Sequence, residues 1–174
     1  MRKFNKIFIC GLSRTGTKSL SQYLRELNLN VVHNGGRVYD PAFIKDIDVL
    51  SDDKQTQFLY EVLNELYPNS LFIYTNREHN SWVDKIISWK TSNSYIFHQC
   101  FGIEVNTLPD TRSMLTSFKI QHFNRFQIFS NNLEPNQVLY LNLEDEEKDK
   151  KILDFLEVKY NKEIEYPNIK YGHK

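Results

Sequence analysis

Cysteine is scarce in this chain: 174 residues include two, Cys10 and Cys100, and neither sits in a CxxC pair. So sparse a pair excludes a disulfide framework and suits a reducing compartment. Cys10, inside an apolar run, reads as a buried inert thiol. Zinc-type ligand clusters are missing too, and no metal is expected. Net charge is also lacking. The 22 Lys and Arg balance the 22 Asp and Glu and are scattered rather than blocked. No long basic footprint for duplex nucleic acid or an anionic membrane results, so neither is an expected partner, although a few local cations could hold one polyanionic ligand. The longest apolar runs, Lys6 to Cys10 and Ser70 to Thr75, are strand-length and fall short of a membrane span, which points to a soluble protein. No apolar signal core follows Met1, which argues against secretion of the chain as written and makes the cytoplasm the expected location. The length suits one domain, 1–174, able to bury a core without staples.

What is present is an alternation. Residues 4–10 form an apolar run ending at Gly11, and Leu20, Tyr23, Leu24 and Leu27 recur at helical spacing over 17–27. Asn30 to His33 reads as a short strand, with a weaker one at Val49-Leu50. Lys54 to Leu66 reads as one helix whose stripe is Phe58, Leu59, Val62, Leu63 and Leu66, stopped by Tyr67-Pro68-Asn69. Leu71 to Thr75 is a buried strand and Ser81 to Lys90 the helix after it. Thr91 to Asp110 shows no period and reads as an irregular excursion suited to acceptor contacts. A Phe-rich helix over Arg112 to Asn131, a strand over Val138 to Leu143, a helix over Asp145 to Leu156 and a tail complete the chain. No internal repeat or low-complexity segment occurs. Strands alternating with helices predict a three-layer α/β domain with a mostly parallel sheet, its ligand site beyond the carboxyl ends of the strands.

Between the first strand and first helix lies Gly11-Leu-Ser-Arg-Thr-Gly-Thr-Lys-Ser19. Backbone N–H groups and a helix dipole at such a junction hold phosphate. A nucleotide-triphosphatase loop would place lysine directly after the second glycine, followed by a hydroxyl for magnesium. Here Thr17 follows Gly16 and Lys18 comes next, so the register is displaced by one. No strongly apolar strand ends in a plain Asp suited to magnesium, although Asp52 and Asp53 follow the weak strand.

Arg14-Thr15-Gly16-Thr17 resembles the 5′-phosphosulfate loop of the sulfotransferases that use 3′-phosphoadenosine 5′-phosphosulfate. Phe72 to Trp82 is similar to that family's second element, a strand running into an arginine for the ribose 3′-phosphate. The strand Val138 to Leu143, the helix containing Ile152-Leu-Asp-Phe-Leu156, and Tyr166-Pro167-Asn168 resemble its closing segment. The resemblance implies a P-loop-like fold, that nucleotide as sulfuryl donor, and a small-molecule or glycan acceptor. It implies donor contacts from Ser13, Arg14, Thr15, Gly16, Thr17, Lys18 and Ser19, with Arg77 for the 3′-phosphate. One position departs: the family's serine for the 3′-phosphate is replaced by Lys85, and Ser81 lies one helical turn before it.

For the chemistry implied, Arg14 would neutralise the leaving phosphate, as a charge rather than as a proton donor. Lys18 is a second cation near the loop, unfavourably placed against the helix dipole unless it has a ligand to meet. His33, ending the second strand, is the first candidate for the base, with Asp52 and Asp53 as the fallback. His79, His98 and His122 have weaker claims, and His122 sits among phenylalanines as a packing residue would. A nucleotide or nucleoside kinase of the same layered fold and a non-catalytic phosphonucleotide-binding module remain the alternatives.

Overall fold

The computed structural model describes residues 4–35, 37–92, 111–158, 164, 166 and 167. Strands β1 (Ile7–Ile9), β2 (Val31–His33), β3 (Val49–Ser51), β4 (Leu71–Asn76) and β5 (Val138–Asn142) form one sheet in the order β2-β3-β1-β4-β5. Every pairing is parallel. The helices are α1 (Thr17–Glu26), α2 (Pro41–Ile44), α3 (Lys54–Phe58), α4 (Tyr60–Leu66), α5 (His79–Ser92), α6 (Thr111–Ser130) and α7 (Lys148–Phe155).

Runs without polar interruption suit a sheet covered on both faces, and alternate side chains go to opposite layers. Ile7, Ile9, Val49 and Ile73 pack with Leu20 and Leu24 of α1 and Ile152 of α7. Phe8, Leu50, Phe72 and Tyr74 pack with Tyr60 and Leu63 of α4 and with Phe126 and Phe129 of α6. The expected three-layer α/β architecture is therefore present. A third cluster, Leu12, Trp82, Val83, Ile86 and Leu115, joins the loop after β1 to α5 and α6. Cys10 is fully buried, and burial pushes its thiol up.

Three expectations need correction. The helix predicted over Lys54 to Leu66 is two helices, broken where Leu59 adopts φ −119° and ψ 31°. Its apolar stripe serves two surfaces: Phe58 packs on the cluster around Trp82, while Tyr60 and Leu63 pack on the sheet. Leu59, Val62 and Leu66 are left exposed. The strand over Val49-Leu50 is not weak but fully buried, lying between β1 and β2. The short helix α2 was not foreseen; Asp40 caps it, and the buried Lys6 ammonium donates to the carbonyls of Ile44 and Ile47 at its end. From residue 93 the predicted excursion lies outside the described residues, as do His98, Cys100, Asn168 and most of the tail. Among the described residues no helix is long and apolar enough to cross a membrane.

Candidate nucleotide and transfer site

β1 lies between β3 and β4. The chain leaving it emerges where the strand order turns back, the usual ligand position in an open parallel sheet. Gly11 is obligatory there, because a Cβ would lie 2.0 Å from the Thr75 hydroxyl and 2.2 Å from the Thr75 carbonyl oxygen. The loop that follows is held tightly. Thr15 Oγ1 donates to the Leu12 carbonyl at 2.5 Å and lies 2.7 Å from Thr75 Oγ1. Trp82 Nε1 donates to the Ser13 carbonyl at 3.0 Å. Arg14 at φ 73° and Gly16 at φ 97° both occupy the left-handed region. For glycine this costs little, but a long side chain there stores strain of the kind that clusters at functional sites. Helix α1 then starts with no side-chain cap at Gly16 and no acid in its first turn, so the positive end of its dipole faces the loop.

On the β4 side the site is cationic. Arg77 follows β4 directly; its Nε donates to Ser81 Oγ at 2.9 Å and its Nη1 to the Arg14 carbonyl at 3.3 Å. The Arg14 guanidinium lies 4.7 Å from the Trp89 ring centroid. Ser81, Lys85 and Trp89 succeed one another at four-residue spacing on α5 and so share a face. Lys85 is half-buried on that face, while Lys18 is exposed on the first turn of α1.

The β2 and β3 side is built of hydroxyls, a carboxylate and an imidazole. Asp52 Oδ1 accepts from Ser13 Oγ at 2.8 Å and from Gln57 Nε2 at 3.1 Å. Its Oδ2 lies 3.4 Å from His33 Nε2. His33 Nδ1 lies 3.2 Å from Ser21 Oγ and 3.1 Å from Ser51 Oγ. Next to a carboxylate, which only accepts, Nε2 carries the hydrogen and Nδ1 accepts from a serine. Burial pushes the Asp52 carboxyl up, opposed by the Ser13 hydrogen bond and the His33 and Arg14 charges. Burial pushes the His33 imidazole down, opposed by Asp52. The two proton affinities thus move toward each other, which favours passing a proton between them.

The predicted residues Ser13 to Ser19, His33, Asp52, Arg77 and Ser81 therefore all lie at the carboxyl ends of β1 to β4. Asp53 does not join them. Its Oδ1 caps α3 by accepting from the Thr56 N–H at 2.9 Å, and its buried Oδ2 has no hydrogen-bond partner among the described residues. His79 Nε2 lies 2.9 Å from Thr116 Oγ1, joining α5 to α6. His122 is a core histidine: its Nε2 donates to the Gln57 carbonyl at 2.7 Å, so its Nδ1 accepts from the Tyr74 hydroxyl at 2.9 Å. Sequence reasoning missed Gln57, Trp89, Lys119 and the serines around His33. One signal was available. Leu115, Lys119, His122, Phe126 and Phe129 form the buried stripe of α6, and a lysine on such a stripe calls for a partner. Among the described residues no cluster of three or more His, Cys, Asp or Glu could hold a metal ion.

A glycine-bearing loop between a central parallel strand and a helix without a side-chain cap is the layout of a P-loop-like α/β fold. Residues 6–57 match the family model described as Sulfotransferase domain. That match covers β1, the loop, α1, β2 and β3 and supports the phosphate-loop fold of sulfotransferases. No curated protein matches the chain. Among solved structures, a gluconokinase from Sinorhizobium meliloti 1021 is similar at 13% identity and a TM-score of 0.48, over 90% of this chain and 94% of that one.

Proposed function

We propose that the chain is a sulfotransferase that moves the sulfuryl group of 3′-phosphoadenosine 5′-phosphosulfate onto a hydroxyl or amine of a small-molecule or glycan acceptor. The observation that carries this reading is the approach of Arg77 to the phosphate loop, with Nη1 3.3 Å from the Arg14 carbonyl and Nε on Ser81. A single phosphate needs only the loop. A second guanidinium from another strand, backed by its own hydroxyl, suits a donor with a phosphate at each end of its ribose.

In this reading the acceptor atom attacks sulfur in line while the bond from sulfur to the 5′-phosphate oxygen breaks, its electron pair leaving with adenosine 3′,5′-bisphosphate. Arg14 and the first-turn N–H groups of α1 balance the charge that grows on that phosphate. Lys18 and Lys85 add local positive charge. The acceptor proton goes to His33 Nδ1, the ring nitrogen without a hydrogen, while the Nε2 hydrogen stays directed at Asp52 Oδ2. His33 is the base and Asp52 fixes its tautomer, while Ser21 and Ser51 flank Nδ1.

The test is a thermal-shift series. Adenosine 3′,5′-bisphosphate with a metal chelator present should stabilise the protein, by about 2.7 kcal/mol at about a hundred times its Kd. ATP with magnesium should do less. A second reading, a nucleotide or nucleoside kinase, is favoured by one observation: Asp52 directly follows the interior strand β3, and the Thr17 hydroxyl at the helix start is close enough to oppose the rise that burial causes in its carboxyl. A carboxylate and a hydroxyl so placed could share magnesium. Stronger stabilisation by ATP and magnesium than by the bisphosphate would install that reading instead.

A further inference from the structure

Lys119 is 6% exposed, a depth at which an ammonium is retained only if it is well paired. It reaches the site from α6, 42 residues further along the chain than Arg77. Its Nζ donates to the Arg77 carbonyl and lies 5.7 Å from the centroid of the Trp82 ring. Trp82, fully buried, holds the Ser13 carbonyl through its indole N–H. The buried charge thus braces the turn that carries Arg77 and only lies beside the indole that tethers the loop. Glu78 and Glu144 supply the opposite charge nearby. The Glu78 carboxylate also accepts from the N–H groups of Asn80 and Ser81, fixing the first turn of α5 beneath the Arg77 side chain.

An ordinary core lysine would extend its ammonium to solvent along its alkyl stem. Lys119 instead ends on the backbone of Arg77, whose guanidinium joins the end of β4 to the phosphate loop. We infer that Lys119 is a positioning residue for the 3′-phosphate subsite, acting through Arg77 without touching the nucleotide. The inference rests on the sulfotransferase reading of that subsite.

Lys119→Met, Lys119→Arg and the wild type should be compared by calorimetric binding of adenosine 3′,5′-bisphosphate and of adenosine 5′-phosphate, which lacks the 3′ group. Lys119→Met should bind the bisphosphate about tenfold more weakly, the scale of one lost charge-assisted contact, and adenosine 5′-phosphate as the wild type does. Lys119→Arg should recover most of the loss. If Lys119→Met keeps the wild-type preference for the bisphosphate, or weakens both ligands alike, the inference is overturned and the function stands. A wild type with no preference for the bisphosphate defeats the functional reading itself. Amide exchange in the ligand-free protein then decides the role of Lys119 in holding the turn. Faster exchange in Lys119→Met at Asn80 and Ser81 than in the central strands supports the bracing role. Unchanged or uniformly faster exchange removes it.

Discussion

The two flanks of the phosphate loop are built from opposite chemistries. Toward β4 stand Arg77 and Lys119, two indoles and a serine, arranged around cations. Toward β2 and β3 stand His33, Asp52, Gln57 and three serines, an imidazole and a carboxylate in a shell of hydroxyls. Fixed cations on one flank suit holding an anion, and a matched acid and base on the other suit moving a proton. Sulfuryl transfer needs both at once, with the loop between them.

The sharpest way to break this division is to remove the proposed base. His33→Ala and Asp52→Asn should each lose about two to four orders of magnitude in turnover while binding the bisphosphate nearly as the wild type does. An amine acceptor that enters neutral would reduce the effect. Near-normal turnover by folded His33→Ala would take His33 out of the mechanism.

The proton-handling flank also rests on a neutral imidazole, because the carbonyl that His122 bonds belongs to Gln57, whose side chain holds Ser13 and Asp52. Burial keeps the His122 imidazole down at about 4. An unfolded histidine titrates near about 6.5, so the unfolded chain takes up the proton first as pH falls. The associated stability is complete above about 6.5 and is lost as pH drops toward about 4, by roughly 3 kcal/mol in all. Urea unfolding of the wild type and His122→Gln over that range should show a shallower acid slope in the variant. Parallel slopes would mean that carboxylates elsewhere govern acid unfolding.

On the cationic flank, Arg77→Ala should weaken bisphosphate binding about tenfold with a smaller effect on turnover, and Arg14→Ala should do the reverse. Equal small effects from both would erase the distinction between the two arginines. The mildest expected change is at Asp53. Loss of its cap in Asp53→Ala should cost about 1 kcal/mol, and Asp53→Asn, which keeps an acceptor oxygen, should cost less. Both should turn over normally. A large loss of turnover in folded Asp53→Asn would move the base to that residue.

The loop was legible in the sequence because its requirements are local: a glycine where Thr75 approaches, a left-handed glycine before a helix, and hydroxyls between them, all within residues 11–19. Strand order was not legible, so Val49-Leu50 read as marginal although it is central and buried on both sides. Its small size misled; three residues between two neighbours need no long apolar run. The division of Lys54 to Leu66 was hidden because one helical period fed two different surfaces. Gln57 and Lys119 were missed because their roles arise from partners 44 and 42 residues away. Only the polar interruption of the α6 stripe hinted at the second.

The chain has two tryptophans. One is hydrogen-bonded to the Ser13 carbonyl and the other lies under the Arg14 guanidinium. All indole emission therefore originates at the backbone or side chain of adjacent loop residues. The buried Trp82 should emit at short wavelength, and Trp89 should respond to the cation above it. Any ligand that draws Arg14 off Trp89 would register in the intrinsic fluorescence without a label, and a Trp89→Phe variant would report Trp82 alone.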